Sequence, residues 1–351
     1  MGTPRQVFQQ GLRTSPFRVV ATGLNYPEGP VYEPDGTVLV VEVGGGRLTR
    51  VHPDGTKQTV AELGGGPNGA AIGPDGAVYV CNDGGFYIAQ VPQTASQTIS
   101  IAVCQPPNYQ GGSIQRVGQD GKATTLYTHF QATDPAGNST TLPLRSPDDL
   151  VFDSSGGFWF TDWGKDRWRD RDITGVYYAQ PDGSSIREVL FPLKSPNGIA
   201  LSPDETRLYV AESFTRRILY WELDGPGSVD GSGSHSLDKS FLLTARLPFQ
   251  GCPDSMAMDE EGNLYVACFM PHGVNPNTRG GIAVVATEGK SKGEVIDWIE
   301  IDVEGDDPLP SNICFGGADM RTAYITIDGT GRLIACEMKI PGKRPAFGLS
   351  I

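Results

Sequence analysis

The chain has 351 residues, with 46 glycines, 27 prolines and a formal net charge of −13 at pH 7. This acidity argues against nucleic-acid binding, which depends on Lys and Arg side chains that neutralise phosphate. No stretch approaches the roughly 20 apolar residues of a membrane span, and the first residues lack the apolar centre of a signal peptide. We therefore expect a soluble, cytoplasmic protein with neither a nucleic-acid nor a membrane partner, while its oligomeric state stays open.

A short block recurs along the chain: a polar residue, an apolar run, a turn and a second apolar run. In the fourth copy Asn197 precedes the first run, Pro203-Asp204 forms the turn, and residues 208–211 are the second run. The block occurs six times in one register, with its polar residue seven positions before the turn residue. The six polar residues are Glu28, Asn68, Asp148, Asn197, Asp254 and Asn312.

Repeats of roughly 40–50 residues that each contain several short strands are typical of propeller blades. Gly- and Pro-rich turns between apolar runs favour an all-β chain, and no long helical pattern is present. We predict one six-bladed β-propeller over residues 1–351, with the innermost strand of each blade beginning near one of the six polar residues.

The two ends of the chain are expected to meet. Residues 17–21 form a strand pattern ahead of the first block, and residues 332–336 form another near the C-terminus. We predict that these two strands pair in the last blade and close the ring. In blade 2 the outer hairpin is expected within residues 111–127, around the turn at Asp120-Gly121.

Four segments interrupt the repeat. We interpret the first two as loop excursions because they are rich in Thr, Gln, Pro, Asn and Ser, and the last as a flexible Gly/Ser-rich loop. The four segments are 91–109, 130–145, 162–174 and 225–236. Within the third, Lys165 to Asp172 mixes charges of both signs and is expected to be a solvated loop tip. The six cysteines have no metal-binding spacing and are interpreted as buried thiols.

The six polar residues are expected to meet on the propeller axis, because the innermost strand of every blade lines the central channel. All six carry side-chain oxygen, and three are carboxylates. Crowded carboxylates in a narrow channel either take up protons or surround a cation. Because no His or Cys shares their phase, the set favours a hard cation, Ca²⁺ first and Mg²⁺ or Mn²⁺ next. A single Asn or Asp at such a position often caps a turn, and Asn68 and Asn312 stay open to that interpretation.

Several motifs together resemble the senescence-marker-protein/gluconolactonase/luciferin-regenerating-enzyme family over most of the chain. These motifs are Tyr26-Pro-Glu-Gly-Pro30, Ser146-Pro-Asp-Asp-Leu150, Phe158-Trp-Phe-Thr-Asp162, Ser195-Pro-Asn-Gly-Ile199 and Pro253-Asp254. The resemblance implies a six-bladed propeller with one divalent metal on its axis, no organic cofactor, and hydrolysis of a small-molecule lactone or ester. The Asp148-Asp149 pair is most similar to bacterial calcium-dependent lactonases and departs from the Asn-Asp of gluconolactonase, so a sugar lactone is not implied.

The resemblance also assigns roles. It implies that Glu28, Asn197 and Asp254 are metal ligands and that Asp148 is a fourth, with Zn²⁺ added to the alternatives to Ca²⁺. The metal would polarise the lactone carbonyl, and Asp254, or else Asp149, would act as the base or nucleophile. The candidates for substrate binding are Asn68, Ser255, Asn312, Trp163 and His272.

Three other interpretations stay open. The same metal could serve a phosphotriesterase, as in the related diisopropylfluorophosphatase. Alternatively, the propeller could bind a ligand or a protein partner around a structural metal. A metal-free propeller of the strictosidine-synthase type is disfavoured by Glu28 and Asp254.

Overall fold

The computed structural model describes residues 11–92, 97–134, 136–230, 240–245, 247–248, 251–269, 279–303 and 309–349. They form β-strands throughout, apart from loops and one short 3-10 helix at Gly289–Ser291. In this part of the chain no helix has the length and apolar character needed to span a membrane.

The strands form six main sheets, which are the blades of a propeller. The first strand, Arg18–Ala21 (β1), belongs to the last blade. The strands of blade 1 are Pro27–Tyr32 (β2), Val38–Glu42 (β3), Arg47–Val51 (β4) and Lys57–Glu62 (β5). Blade 2 and its inserted hairpin contain Pro67–Ile72 (β6), Val78–Asn82 (β7), Tyr87–Pro92 (β8), Thr98–Cys104 (β9), Ser113–Val117 (β10) and Ala123–Tyr127 (β11).

Blade 3 is the largest sheet. Its strands are His129–Thr133 (β12), Ser139–Pro143 (β13), Pro147–Phe152 (β14), Phe158–Asp162 (β15), Thr174–Ala179 (β16) and Ile186–Leu193 (β17). The strands of blade 4 are Pro196–Leu201 (β18), Arg207–Glu212 (β19), Arg217–Gly225 (β20), Ser228–Val229 (β21) and Phe241–Thr244 (β22). Blade 5 contains Cys252–Met258 (β23), Asn263–Phe269 (β24), Gly281–Ala286 (β25) and Val295–Glu300 (β26). Blade 6 contains Pro310–Gly316 (β27), Thr322–Ile327 (β28), Arg332–Glu337 (β29) and β1.

The predicted all-β, six-bladed architecture is confirmed. The innermost strands are β2, β6, β14, β18, β23 and β27, and each contacts the next around the ring, with β27 returning to β2. Each begins one or two residues before its predicted polar residue. The ring closes as predicted, because β1 pairs antiparallel with β29, with Arg18 opposite Ala335.

The core is divided among the blade interfaces. Six apolar clusters are present, each lying between two adjacent blades. Trp159 and Trp221 are fully buried between blades 3 and 4. Tyr265 and Phe315 meet edge to face between blades 5 and 6, with their ring centroids 5.1 Å apart. Truncating one such aromatic side chain to Ala lowers the free energy of unfolding by about 3–5 kcal/mol. Contacts of this size stabilise the packing of each blade against the next.

Two of the predicted loop excursions are wrong. Residues 87–104 contain the hairpin β8–β9, and residues 129–143 contain the hairpin β12–β13, which extends blade 3 because β12 pairs parallel with β17. In the first hairpin, Thr98 and Ser100 alternate with Ile99 and Ile101, and Ile99 is buried while Thr98 is exposed, so the polar composition hides a two-residue period.

The predicted Gly/Ser-rich loop is only partly described by the structure, and the predicted buried thiols are confirmed for most of the cysteines. Residues 231–236 of the predicted Gly/Ser-rich loop lie outside the described residues, and the part before them includes the short strand β21. All six cysteines are free thiols. Four of them are buried and two are partly buried.

Candidate active site on the propeller axis

The innermost strands are irregular at the predicted polar residues. In all six blades the register with the second strand shifts there, and such bulges re-aim side chains and are frequent next to active sites. The shifts lie between Glu28 and Val31, Pro67 and Ala70, Pro147 and Leu150, Pro196 and Ile199, Pro253 and Met256, and Pro310 and Asn312. Each bulge therefore contains the polar residue of its block.

Glycine after the polar residue allows neighbouring inner strands to approach closely. A Cβ atom on Gly29 would lie 2.5 Å from the carbonyl oxygen of Asn68, and one on Gly198 would lie 2.5 Å from that of Asp254. No side chain fits at that distance, so glycine is needed at both positions. The close approach brings the polar residues of adjacent blades together.

Five of the six polar residues share one cavity of about 240 Å³. They form what we call the acid floor, which consists of Glu28, Asn68, Asp148, Asn197 and Asp254. All except Asn68 are buried. Trp163, predicted to bind substrate, lines the same cavity.

The other predicted site residues lie elsewhere. Asp149 and Asn312 line a second cavity of about 180 Å³, formed by residues further along the inner strands and by the C-terminal segment. Ser255 is fully buried, and its hydroxyl donates to Asn197 Oδ1 at 3.4 Å. His272 lies outside the described residues.

Burial, and in part the neighbouring carboxylates, raise the pKa values of the three acidic side chains of the floor. Burial, followed by the charges of Asp254 and Glu28, holds the pKa of Asp148 well above its usual range. Burial and the charge of Glu28 act in the same direction on the pKa of Asp254. Burial also raises the pKa of Glu28, against hydrogen bonds from Asn312 and from the Gly29 amide. The floor therefore either retains protons or accepts a cation that compensates its carboxylates.

Two floor oxygens have no partner in the described part of the chain: Asp148 Oδ1 and Asn68 Oδ1 are buried without a hydrogen bond. Over the same residues, no three His, Cys, Asp or Glu side chains form a compact metal centre by themselves. The donors available are instead a mixed set of carboxylate and amide oxygens. Such a set fits a hard cation better than Zn²⁺, whose sites are dominated by nitrogen and sulfur ligands.

Backbone strain marks two of the blocks. Tyr26 and Ser195 have φ angles of 58° and 57°, in the left-handed region. Each is two residues before a floor residue, Glu28 or Asn197, with a proline between them. Such a conformation costs about 1–3 kcal/mol and persists only where its surroundings enforce it, which is common at functional sites.

The inserted hairpin β8–β9 covers the cavity. Ser100 donates its backbone N–H to Gly329 O in blade 6 at 2.8 Å, and Gln105 donates to Asp166 O in the blade 3 loop at 2.9 Å. Ala102 donates its N–H to the hydroxyl of Tyr26 at 3.3 Å. The hairpin is thus joined both to neighbouring blades and to the strained residue beside Glu28.

The prediction of a solvated loop tip is wrong for Lys165. Its side chain is 0% exposed, with Nζ 3.3 Å from Asp83 Oδ1 and 2.9 Å from Gly85 O. Nζ also lies 3.4 Å from the centroid of the Phe86 ring, which lines the cavity. The loop folds inward because Asp83, far away in sequence, provides a buried counter-charge. Its tip is nevertheless solvated, with Trp168 95% exposed.

The fold and the acid floor define a six-bladed propeller with carboxylate and amide oxygens gathered at its axis. Residues 26–328 match the SMP-30/Gluconolactonase/LRE-like region, and the chain belongs to this family, as the motifs predicted. A gluconolactonase of Zymomonas mobilis is 27% identical over 331 residues, 86% of this chain and 76% of that protein. A lactonase drp35 of Staphylococcus haemolyticus is 30% identical over 246 residues, 69% of this chain and 63% of its own length.

Solved structures show the same fold. A gluconolactonase of Xanthomonas campestris superposes with a TM-score of 0.66 at 21% identity, over 93% of this chain and 92% of that one. A calcium-binding protein, regucalcin, of Agrobacterium tumefaciens superposes with a TM-score of 0.66 at 17% identity, over 95% and 98% of the two chains. At these identities the similarity concerns the fold alone.

Proposed function

We propose that this protein hydrolyses a lactone with the help of one divalent cation, Ca²⁺ as first choice. The observation that carries the proposal is the acid floor: side chains far apart in sequence meet in one cavity, most of them buried and two of their oxygens unpartnered. Membership of the family and the lactonase names of the relatives support the same reaction.

Glu28, Asp148, Asn197 and Asp254 would hold the cation. When bound, it would polarise the lactone carbonyl and stabilise the negative charge that develops on the carbonyl oxygen. Neighbouring groups hold these residues: Asn68 Nδ2 donates to the Asp148 side chain at Oδ2 at 3.4 Å, and Thr161 Oγ1 donates to the backbone carbonyl of Asn197 at 2.6 Å.

Asp254 is the proposed base. It lines the cavity, and a base must lie within hydrogen-bond reach of the proton that it removes. Asp254 would take a proton from a water molecule whose oxygen attacks the carbonyl carbon. The ring C–O bond then breaks, the ring oxygen receives a proton, and a hydroxy acid leaves.

Asp149 is proposed to position the floor rather than to react. It lines the second cavity, and its Oδ1 accepts the N–H of Leu150 at 2.9 Å. Burial raises the pKa of Asp149 to about 7, against hydrogen bonds from Leu150 and Ser255. Its partner Ser255 contacts Asn197, so Asp149 acts on the floor through a neighbour.

The test combines a chelator with the variant Asp254→Asn. We expect EDTA to abolish hydrolysis of simple lactones without unfolding the protein, and added Ca²⁺ to restore it. Asp254→Asn should lower kcat by about 10²–10⁴-fold, the usual contribution of a general base, while calorimetry still detects Ca²⁺ binding. Asp149→Asn should lower kcat less than Asp254→Asn, because Asp149 acts on the floor only through a neighbour.

Three results would contradict the proposal. Full turnover in chelator would exclude the cation, and full turnover in Asp254→Asn would exclude the base. Faster hydrolysis of an organophosphate triester than of any lactone would favour the phosphotriesterase alternative.

A further inference from the structure

The walls above the acid floor are apolar. Ile99 and Ile101 reach the cavity from the inserted hairpin, and Phe86, Trp163 and Phe214 reach it from loops of blades 2, 3 and 4. We call these five side chains the apolar wall. Three come from the blade 2 insertion or the turn leading into it, so this part of the cavity is built outside the six-fold repeat.

The aromatic part of the wall is held rigidly from outside the cavity. The Trp163 and Phe214 rings contact each other with centroids 5.1 Å apart. The guanidinium of Arg171 lies 4.5 Å from the Phe214 centroid and 5.2 Å from that of Trp163. Arg171 also donates to Trp163 O at 3.1 Å. A cation stacked on an aromatic face stabilises the arrangement by about 0.5–2 kcal/mol, so these rings are preorganised.

Besides the acid floor, three polar side chains line the described part of the cavity, and each has a partner within the protein. The Tyr26 hydroxyl accepts the Ala102 N–H at 3.3 Å, and Asp328 accepts the Ser311 hydroxyl at 2.8 Å. Asp166 pairs with Arg171 at 3.3 Å. The five side chains of the apolar wall offer a hydroxyl no acceptor, and their one polar atom, the indole Nε1 of Trp163, is buried without a partner. The hydroxyls of a sugar lactone would therefore lie largely against carbon there, and a hydroxyl buried without a partner opposes binding.

We infer that the substrate is a lactone bearing an alkyl or aryl substituent, which packs against the apolar wall while its carbonyl lies on the acid floor. The inference rests on the proposed function and adds the substrate class. It predicts that a sugar lactone is a poor substrate, whereas the name of the Zymomonas relative, gluconolactonase, implies a sugar lactone.

The test compares three δ-lactones of the same ring size: δ-valerolactone, a δ-lactone with a linear alkyl chain, and glucono-δ-lactone. We expect kcat/KM to rise about three- to fourfold for each buried methylene, equivalent to about 0.8 kcal/mol, until the chain extends beyond the cavity. Glucono-δ-lactone should have a lower kcat/KM than δ-valerolactone.

Variants locate the preference. Ile101→Asn should lower kcat/KM at least tenfold for the alkyl lactone and less than twofold for δ-valerolactone. The decrease should come from a higher KM, with kcat unchanged. Tyr87→Asn is the matched control, because Tyr87 is on the same hairpin but 55% exposed. If Ile101→Asn lowers both activities through misfolding, Phe214→Ala provides the same comparison from an exposed loop residue on another blade.

The outcomes separate the two proposals. Absence of hydrolysis of every lactone would overturn the proposed function and the inference with it. Hydrolysis of δ-valerolactone together with an equal or higher kcat/KM for glucono-δ-lactone would overturn the inference alone. An equal loss on alkyl and unsubstituted lactones in Phe214→Ala would also overturn it.

Discussion

Replacing Lys165 with Met tests how the loop beside the cavity is held. Lys165 and Asp83 are both fully buried, with Nζ and Oδ1 3.3 Å apart. The ammonium group also donates to Gly85 O at 2.9 Å and lies against the Phe86 ring. The Lys165→Met variant keeps a similar apolar stem but leaves the Asp83 carboxylate without its counter-charge.

The stability lost in each variant follows from the burial of both charged partners. Burial lowers the pKa of Lys165 and raises that of Asp83, so in each group desolvation outweighs the attraction of its partner. The intact pair therefore adds little net stability, whereas removing one partner costs about 3–5 kcal/mol, because the other charge stays buried. We expect that loss in Lys165→Met and in Asp83→Asn, but only about 1–2 kcal/mol in the double variant, which leaves no charge behind.

Urea unfolding followed by circular dichroism measures these differences. Arg116→Met is the matched control, because Arg116 pairs with Asp75 at 2.6 Å while their side chains are 33% and 38% exposed. An exposed pair contributes about 0–1 kcal/mol. The loss in Lys165→Met should shrink as the pH is lowered, because burial raises the pKa of Asp83 and a protonated Asp83 leaves no unpaired charge behind. A loss below 1 kcal/mol, or a double variant whose loss equals the sum of the single ones, would refute the reasoning.

Two further predictions concern the inner strands and a titrating side chain. Gly198→Ala should lower the free energy of unfolding by about 1–3 kcal/mol and weaken Ca²⁺ binding, because the new Cβ would lie 2.5 Å from Asp254 O. Calorimetry measures both effects. Gly118→Ala is the control, because its Cβ would meet only the end of a side chain. Burial raises the pKa of Glu188 to about 7. The folded state therefore binds this proton more tightly than the unfolded chain does. The free energy of unfolding that the bound proton contributes at low pH is lost as the pH rises from about 4.5 to about 7. Glu188→Gln should reduce this pH dependence, so that the variant is about 1–3 kcal/mol more stable than the parent at pH 8 and no more stable at pH 4. Urea titrations measure the difference, and an equal pH dependence of the two proteins would contradict the prediction.

The repeat made much of the architecture predictable. A turn at a fixed distance from each polar residue sets where every innermost strand begins, so Glu28 and Asn197 were placed within one residue of the observed strand starts. Ring closure was predicted from the strand patterns at residues 17–21 and 332–336, near the two ends of the chain. The bulges were not foreseen, although the glycine after Glu28, Asn68 and Asn197 was a signal for close backbone approach.

Apart from Trp163, the apolar wall was not predicted, for a different reason. Hairpin β8–β9 belongs to no repeat, and its position depends on single hydrogen bonds to Gly329 and Asp166, residues that no local pattern connects to it. Lys165 likewise pairs across 82 positions of sequence. The floor is thus determined by the register of the repeat, whereas the wall depends on contacts made by insertions. If the bulged inner strands keep their place when an insertion changes, the substituent that we propose for the wall can vary while the proposed reaction on the floor is retained.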